Sequence, residues 1–213
     1  MIYVFPDPET AIRQGDIFQC IPRVEIDLAT LPVISDPKLT QVEEVDWLRI
    51  CQAPEVIRAV ATIRPVHAIV ITQDCDIQRA SDISLCEIDR FDVVFAPAKG
   101  AAYPNKTMSL ITQHSRYNLK WFYLPRDPSI GFEEPMAVDF QSVLRVSGLY
   151  LTQHTAALRK ARLNDVADEH FRERLAEYFR RYPYDEWYPL DKAEFEEYQR
   201  GKSELIEPFP WQL

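Results

Sequence analysis

The stretch His67-Ala68-Ile69-Val70-Ile71-Thr72-Gln73-Asp74-Cys75-Asp76 decides how the chain is read. Four apolar residues in a row, Ala68 to Ile71, suit a strand buried on both faces. Thr72 to Asp76 then form a polar knot where that strand leaves the core. Side chains at such an exit are rigidly held and still reach solvent, so the knot is the first place to look for chemistry.

Outward from this strand the pattern is mainly β. Ile17 to Ile26 alternates, and Pro22 restricts it to an edge position or a bulge. Pro32, Pro37 and Ser35-Asp36 mark Asp27 to Leu39 as a loop. Val42 to Gln52 fits a helix through Val42, Val45 and Leu48, and fits a strand through Trp47, Leu48 and Ile50. Val56 to Ile63 reads as a strand ended by Arg64-Pro65, with the central strand following at Val66 to Thr72. Asp76 to Asp82 reads as a polar loop, Ser84 to Ile88 as a short element and Phe91 to Ala96 as a buried strand. Lys106 to Asn118 is a helix by this reading, and Lys120 to Leu124 a strand. Met136 to Phe140 and Ser142 to Tyr150 are two strands, or one bent near Gln141.

The clearest helix follows. Asn164 or Asp165 can cap it, and Phe171, Leu175, Tyr178 and Tyr182 recur at helical spacing. Arg172, Arg174, Arg180 and Arg181 read as its solvated flank, and Pro183 stops it. Residues 184–213 carry Trp187, Tyr188, Tyr198, Phe209 and Trp211 among acidic residues, too many rings to leave in solvent. The organisation expected is a body at 1–183 and an aromatic, acidic extension at 184–213 that packs on the body or on a partner.

The 213 residues carry a net charge of −9, which excludes an extended phosphate-binding surface unless a local basic face supplies it. Lys and Arg are denser from Arg159 to Arg181, but there is no basic tail. No apolar run approaches the roughly 18 residues of a membrane span, and the N-terminus lacks signal-peptide features. The expectation is a cytoplasmic protein with no membrane partner. Cys20, Cys51, Cys75 and Cys86 form no Cys-x-x-Cys pair. Zinc held by Cys75, Cys86 and a histidine fits no structural zinc spacing, so neither a metal nor a cofactor is expected.

Five segments in order resemble the MazF/PemK toxin family. They are Gly15-Asp16-Ile17-Phe18, His67 to Asp74, Phe91-Asp92-Val93-Val94-Phe95-Ala96-Pro97, Ala137 to Val146, and Ala161-Arg162-Leu163-Asn164-Asp165. The resemblance implies an SH3-like barrel closed by a C-terminal helix, here with insertions near 27–65 and 100–118. Family members that cut RNA use an Arg just before the second strand and a Ser or Thr after the third. This chain has Val66-His67 at the first position, with Arg64 two residues upstream, and Ala98-Lys99 at the second. The resemblance therefore implies Arg64, His67 and Lys99 as the catalytic set of a sequence-specific endoribonuclease acting on single-stranded RNA. Thr72 to Ile77 is also similar to a Ser/Thr-Gln-x-Cys-Asp-Leu segment of uncharacterised bacterial barrel proteins.

The knot itself admits three readings. Asp74 and Asp76 can cap backbone amides around a buried Cys75. With Gln73 they can accept hydrogen bonds from a ligand or partner. Cys75 can act as a nucleophile, but it needs a base, and the two flanking carboxylates disfavour its thiolate. His67 is eight residues back, roughly 26 Å along an extended strand. Three functions follow. The first is a binding or regulatory protein on a toxin-like scaffold, in a toxin-antitoxin or defence setting, with a protein partner. The second is the endoribonuclease, and the third a cysteine-dependent enzyme at Cys75. A homodimer is compatible with all three.

Overall fold

A run of strands in the order β1-β9-β2-β5-β6-β8-β7, each antiparallel to its neighbours, forms one curled half-barrel sheet. The computed structural model describes residues 2–34, 41–52, 57–94 and 120–180. Within them the strands are β1 (Tyr3–Val4), β2 (Asp16–Glu25), β3 (Leu31–Ile34), β4 (Val42–Val45), β5 (Thr62–Val70), β6 (Asp82–Arg90), β7 (Trp121–Leu124), β8 (Met136–Ser147) and β9 (Arg159–Leu163). Strands β3 and β4 pair separately as a hairpin. The helices are α1 (Trp47–Ile50), α2 (Asp74–Ile77), α3 (Phe91–Val94), α4 (Gly148–Gln153), α5 (Thr155–Leu158) and α6 (Asp165–Phe179). The chain divides into two compact units, Met1–Tyr178 and Phe179–Leu213. Of the second, only residues 179 and 180 are described, and the predicted boundary at 183 lies outside the described residues.

Both faces of the sheet are buried, as the apolar run at Ala68 to Ile71 requires. On one face Ile17, Ile69, Ile88, Phe122 and Val138 pack under Ala167, Phe171 and Leu175 of α6. On the other, Phe18, Ile21, Val66, Ala68, Val70 and Leu85 pack with Ile12 and with Leu151 of α4. The sheet's two outer edges are tied together where the Tyr3 hydroxyl donates to the Pro125 carbonyl at 2.8 Å, just after β7. Helix α6 starts as its sequence implies, because Asn164 Oδ1 accepts the Ala167 amide at 2.9 Å.

Three register slips shape this sheet, one of them between Ile17 and Phe18 where β2 meets β9. Between Phe18 and Ile21 the register of β2 on β5 slips by one residue, and Cys20 there takes a φ of 56°. The extra residue returns Ile21 to the same face as Phe18, which simple alternation would not do. In β8, Cys86 faces Val143 while Ile88 faces Val138, so the strand bulges between. Asp139 clamps that bulge by accepting from the Gln141 amide at 2.9 Å and the Ser142 hydroxyl at 2.7 Å. The strand is thus single and bent, and it ends at Ser147; Leu149 and Tyr150 belong to α4.

Several expectations are corrected. Arg64-Pro65 does not separate two strands: β5 runs through it from Thr62. Pro65 is tolerated because it faces Pro22 in a zone where β5 has not yet met β6 and β2 has left β9, so each strand pairs on one side only. The expected loop at Asp27 to Leu39 contains β3, and the ambiguous Val42 to Gln52 is a strand and then a helical turn capped by Asp46. Phe91 to Val94 is a helical turn rather than a strand. Strand β6 has already extended to Arg90, the Phe91 amide bonds the Pro135 carbonyl at 2.9 Å, and the Phe91 ring stands edge-on to Trp121 and Tyr123. Strands β1 and β9 and helix α5 were not foreseen. The helix expected at Lys106 to Asn118 and the aromatic extension lie outside the described residues.

Asn164→Ala should lower stability by about 1 kcal/mol, the usual cost of losing an N-cap, as measured by urea denaturation.

Candidate functional site

The polar knot begins where β5 ends. Thr72 Oγ1 accepts the Ser84 amide at 2.7 Å, which fixes the turn to β6. Gln73 then precedes the single turn α2, and Asp74 opens it. The Asp74 carboxylate accepts from the Gln14 amide at 2.8 Å, from Arg172 Nη2 at 2.9 Å and from Arg13 Nε at 3.2 Å. It thereby ties α2 both to the loop before β2 and to α6. Burial works to raise its pKa, but these donors outweigh burial and hold Asp74 below the ordinary carboxylate range.

Beside it lies a second centre, Asp16, which is fully buried. It accepts from the Arg13 amide at 3.0 Å, Arg159 Nη1 at 3.1 Å and Arg162 Nη2 at 2.9 Å. The Arg159 side chain is only 3% exposed, and it also donates to the carbonyls of Thr10 at 3.0 Å and Asp7 at 2.6 Å. A third carboxylate, Asp168, pairs with Arg172 at 3.0 Å. Burial raises its pKa, opposed chiefly by Arg172. Asp168 Oδ1 stands 2.6 Å from where a Cβ on Gly15 would be, and Gly15 has a φ of +84°. Only glycine satisfies both the turn and that approach.

The knot is thus part of a network of Arg13, Arg159, Arg162 and Arg172 with Asp16, Asp74 and Asp168. Sequence reading picked out Asp74 but not its arginines. Arg174 is buried at 8% exposure, which corrects the solvated-flank reading there, whereas Arg172 stays 41% exposed along its side chain while pairing with Asp74 and Asp168.

Gln73, Cys75 and Asp76 are exposed. Cys75 is therefore not the buried filler of a turn. Its Sγ lies 3.9 Å from Gln73 Oε1. The buried cysteine is Cys86, whose thiol burial pushes up to about 12, leaving it protonated and unreactive. Among the described residues no group of three or more His, Cys, Asp or Glu could hold a metal ion.

The structure does not bring Arg64 and His67 together. Three positions apart on β5, they face opposite sides of the sheet. Arg64 shares a face with Val66 and Ala68. It bonds Glu25 at 2.5 Å and Glu87 at 2.7 Å, and these hydrogen bonds raise its pKa. Glu87, 4% exposed, also pairs with Arg23, the direct cross-strand partner of Arg64. One buried carboxylate therefore holds two adjacent arginines that would otherwise repel. His67 lies on the other face, edge-on to Phe132 with ring centroids 5.4 Å apart. Its Nδ1 is buried with no hydrogen-bond partner, and burial, aided by Lys160, lowers its pKa. Lys99 lies outside the described residues.

A separate cavity of about 370 Å³ opens at the seam between the sheet edges, lined by Ile2, Phe122, Pro125, Ala167, His170 and Arg174 among others. Arg64, His67, Gln73, Asp74, Cys75 and Asp76 are not among its lining residues. Its lining comes from β7, α6 and residues flanking them and β1, which meet only in the folded chain.

Asp16→Asn should destabilise the protein by about 3–5 kcal/mol in chemical denaturation, because it leaves buried guanidinium groups without a counter-charge. Cys75→Ser should change stability by under about 0.5 kcal/mol, as for other exposed positions. His67 has a folded-state pKa below its unfolded value of 6.5. The unfolded chain therefore takes up the proton first, and stability is lost as pH falls below 6.5 toward the folded pKa. Melting temperatures from pH 7.5 to 5 should fall more steeply for the wild type than for His67→Asn. Comparison with known proteins returns no matching family model, no matching curated protein and no matching solved structure.

Proposed function

We propose that this chain is a binding or regulatory protein on a toxin-like scaffold, an SH3-like barrel of the MazF/PemK kind with insertions. Its setting is a bacterial toxin-antitoxin or defence system, and it acts on a partner protein rather than on a substrate. One observation carries the reading: Arg64 and Asp74, two of the charged groups of the described candidate set, are engaged in holding the fold, and His67 stands apart from them. Arg64 is clamped by Glu25 and Glu87, Asp74 by three donors from two other elements, and His67 faces away from Arg64 against Phe132. A phosphodiester cleaved by the usual route needs a cation and a proton-transfer group converging on one phosphate. Arg64 and His67 do not supply that convergence, and Cys75 has Gln73 rather than a base beside it. The acidic net charge of −9 agrees with a protein partner better than with an RNA backbone.

Purified protein incubated with mixed single-stranded RNA should leave it intact, as judged on a denaturing gel. RNA cleavage that disappears in His67→Ala or Lys99→Ala would instead establish the endoribonuclease reading and end this one.

A further inference from the structure

Beyond the point where β5 leaves β6, the chain forms an arm built from the outer half of the β2–β5 ribbon, the β3–β4 hairpin and α1. Bridging bonds hold it together. The Trp47 amide donates to the Leu28 carbonyl at 2.9 Å, the Val60 amide to Pro32 at 2.8 Å and the Ile34 amide to Arg58 at 2.8 Å. Of the 16 exposed large hydrophobic residues of the described chain, eight lie between Val24 and Ile63. That density in one element needs a cause. Val24 and Ile63 are direct cross-strand partners, 52% and 62% exposed, so they form a continuous apolar step on one face of the ribbon. Leu28 and Trp47 are adjoined by their backbone bond, and Leu48 beside them is 69% exposed.

The arm's charge is one-sided. Asp27, Glu43, Glu44 and Asp46 are exposed, and none of them makes an ion pair in the described structure. Arg49 and Arg58 are the arm's only described cations apart from Arg23 and Arg64 at its base, which Glu25 and Glu87 already hold. Exposed apolar side chains on an arm with more carboxylates than cations fit a partner that presents apolar side chains among Lys and Arg. A second copy of this chain fits poorly. Its β4 edge, brought antiparallel across a two-fold axis at the strand's centre, would set Glu43 of each copy against Glu44 of the other.

We infer that this acidic arm, through Val24, Ile63, Trp47 and Leu48, is the docking surface for a basic amphipathic segment of the partner protein. The inference rests on the protein-binding reading above and names the surface and the chemistry of its partner.

The test uses three fluorescein-labelled 18-residue peptides with leucines at helical amphipathic spacing and Lys, Gln or Glu on the polar face. They are titrated with the full chain in fluorescence anisotropy. The Lys peptide should bind at least tenfold tighter than the Glu peptide, and 1 M salt should shrink that advantage. Ile63→Ser and Leu48→Ser should each weaken the Lys peptide about tenfold, whereas Leu149→Ser, an exposed leucine outside the arm, should leave it unchanged. Two variants are used so that a folding defect in one, seen by circular dichroism, still leaves the other decisive. Glu43→Gln with Glu44→Gln should weaken the Lys peptide several-fold and spare the Gln peptide. Equal binding of Lys and Glu peptides, or wild-type binding by both apolar variants, overturns the proposal. So does a dimer in sedimentation that Ile63→Ser dissociates, since a second copy would then occupy the surface. If the peptides fail while RNA stays intact, only this docking surface is refuted. If RNA is cleaved, the protein-binding reading itself falls.

Discussion

Asp16 is the charge around which the described fold is arranged. A carboxylate with no exposure is tolerable only if its oxygens are fully engaged, and here they take donors from the Arg13 amide, Arg159 and Arg162. Those donors come from the loop before β2 and from β9, nearly 150 positions away. Arg159 passes the constraint on by gathering the carbonyls of the N-terminal loop. Asp74 extends it to the turn after β5 and, through Arg172, to α6. The loop before β2 and the turn after β5, which would otherwise lie loose over the sheet, are thus anchored by charges that cannot be removed one at a time.

Placing the polar knot inside this network changes its meaning. Asp-Cys-Asp at a strand exit has the composition of an active site, yet composition does not say what the groups face. Asp74 faces two arginines and an amide, so its low pKa reflects structural pairing. Perturbed ionisation marks structural pairs as well as catalytic centres, and the neighbours decide between them. The same logic applies to Arg64, which was singled out for its position before a strand and serves instead to neutralise Glu87 beside Arg23.

Much of the sheet was legible in the sequence, and the exceptions have identifiable causes. Strands β2, β7, β8 and the part of β5 from Val66 are legible because their apolar residues alternate or run together, β6 reads only as a short element at Ser84 to Ile88, and α6 is legible because its rings recur at helical spacing and Asn164 caps it. Pro65 misled because proline marks strand ends on average, whereas here it faces Pro22 in a singly paired zone. Phe91 to Val94 misled because two valines beside a phenylalanine suit a strand, while ring contacts with Trp121 and Tyr123 favour a turn. Strand β9 was invisible because Arg159-Lys160-Ala161-Arg162 reads as a charged surface. Its arginines are buried only because Asp16 exists elsewhere in the chain. Of the candidate site, Asp74 was readable and its partners were not, since no local pattern encodes a contact across 60 or 98 positions.

The bond from the Tyr3 hydroxyl to the Pro125 carbonyl spans 122 positions, and the one from Arg162 to Asp16 spans 146. Both mean that the first strands made are among the last completed. At a synthesis rate of roughly 5–20 residues per second, β2 would leave the ribosome on the order of ten seconds before β9 exists to cover its free edge. Throughout that interval a buried carboxylate lacks its counter-charges and a strand lacks a neighbour. Solubility during biogenesis is therefore set by how well the nascent chain is shielded, in addition to how stable the finished sheet becomes.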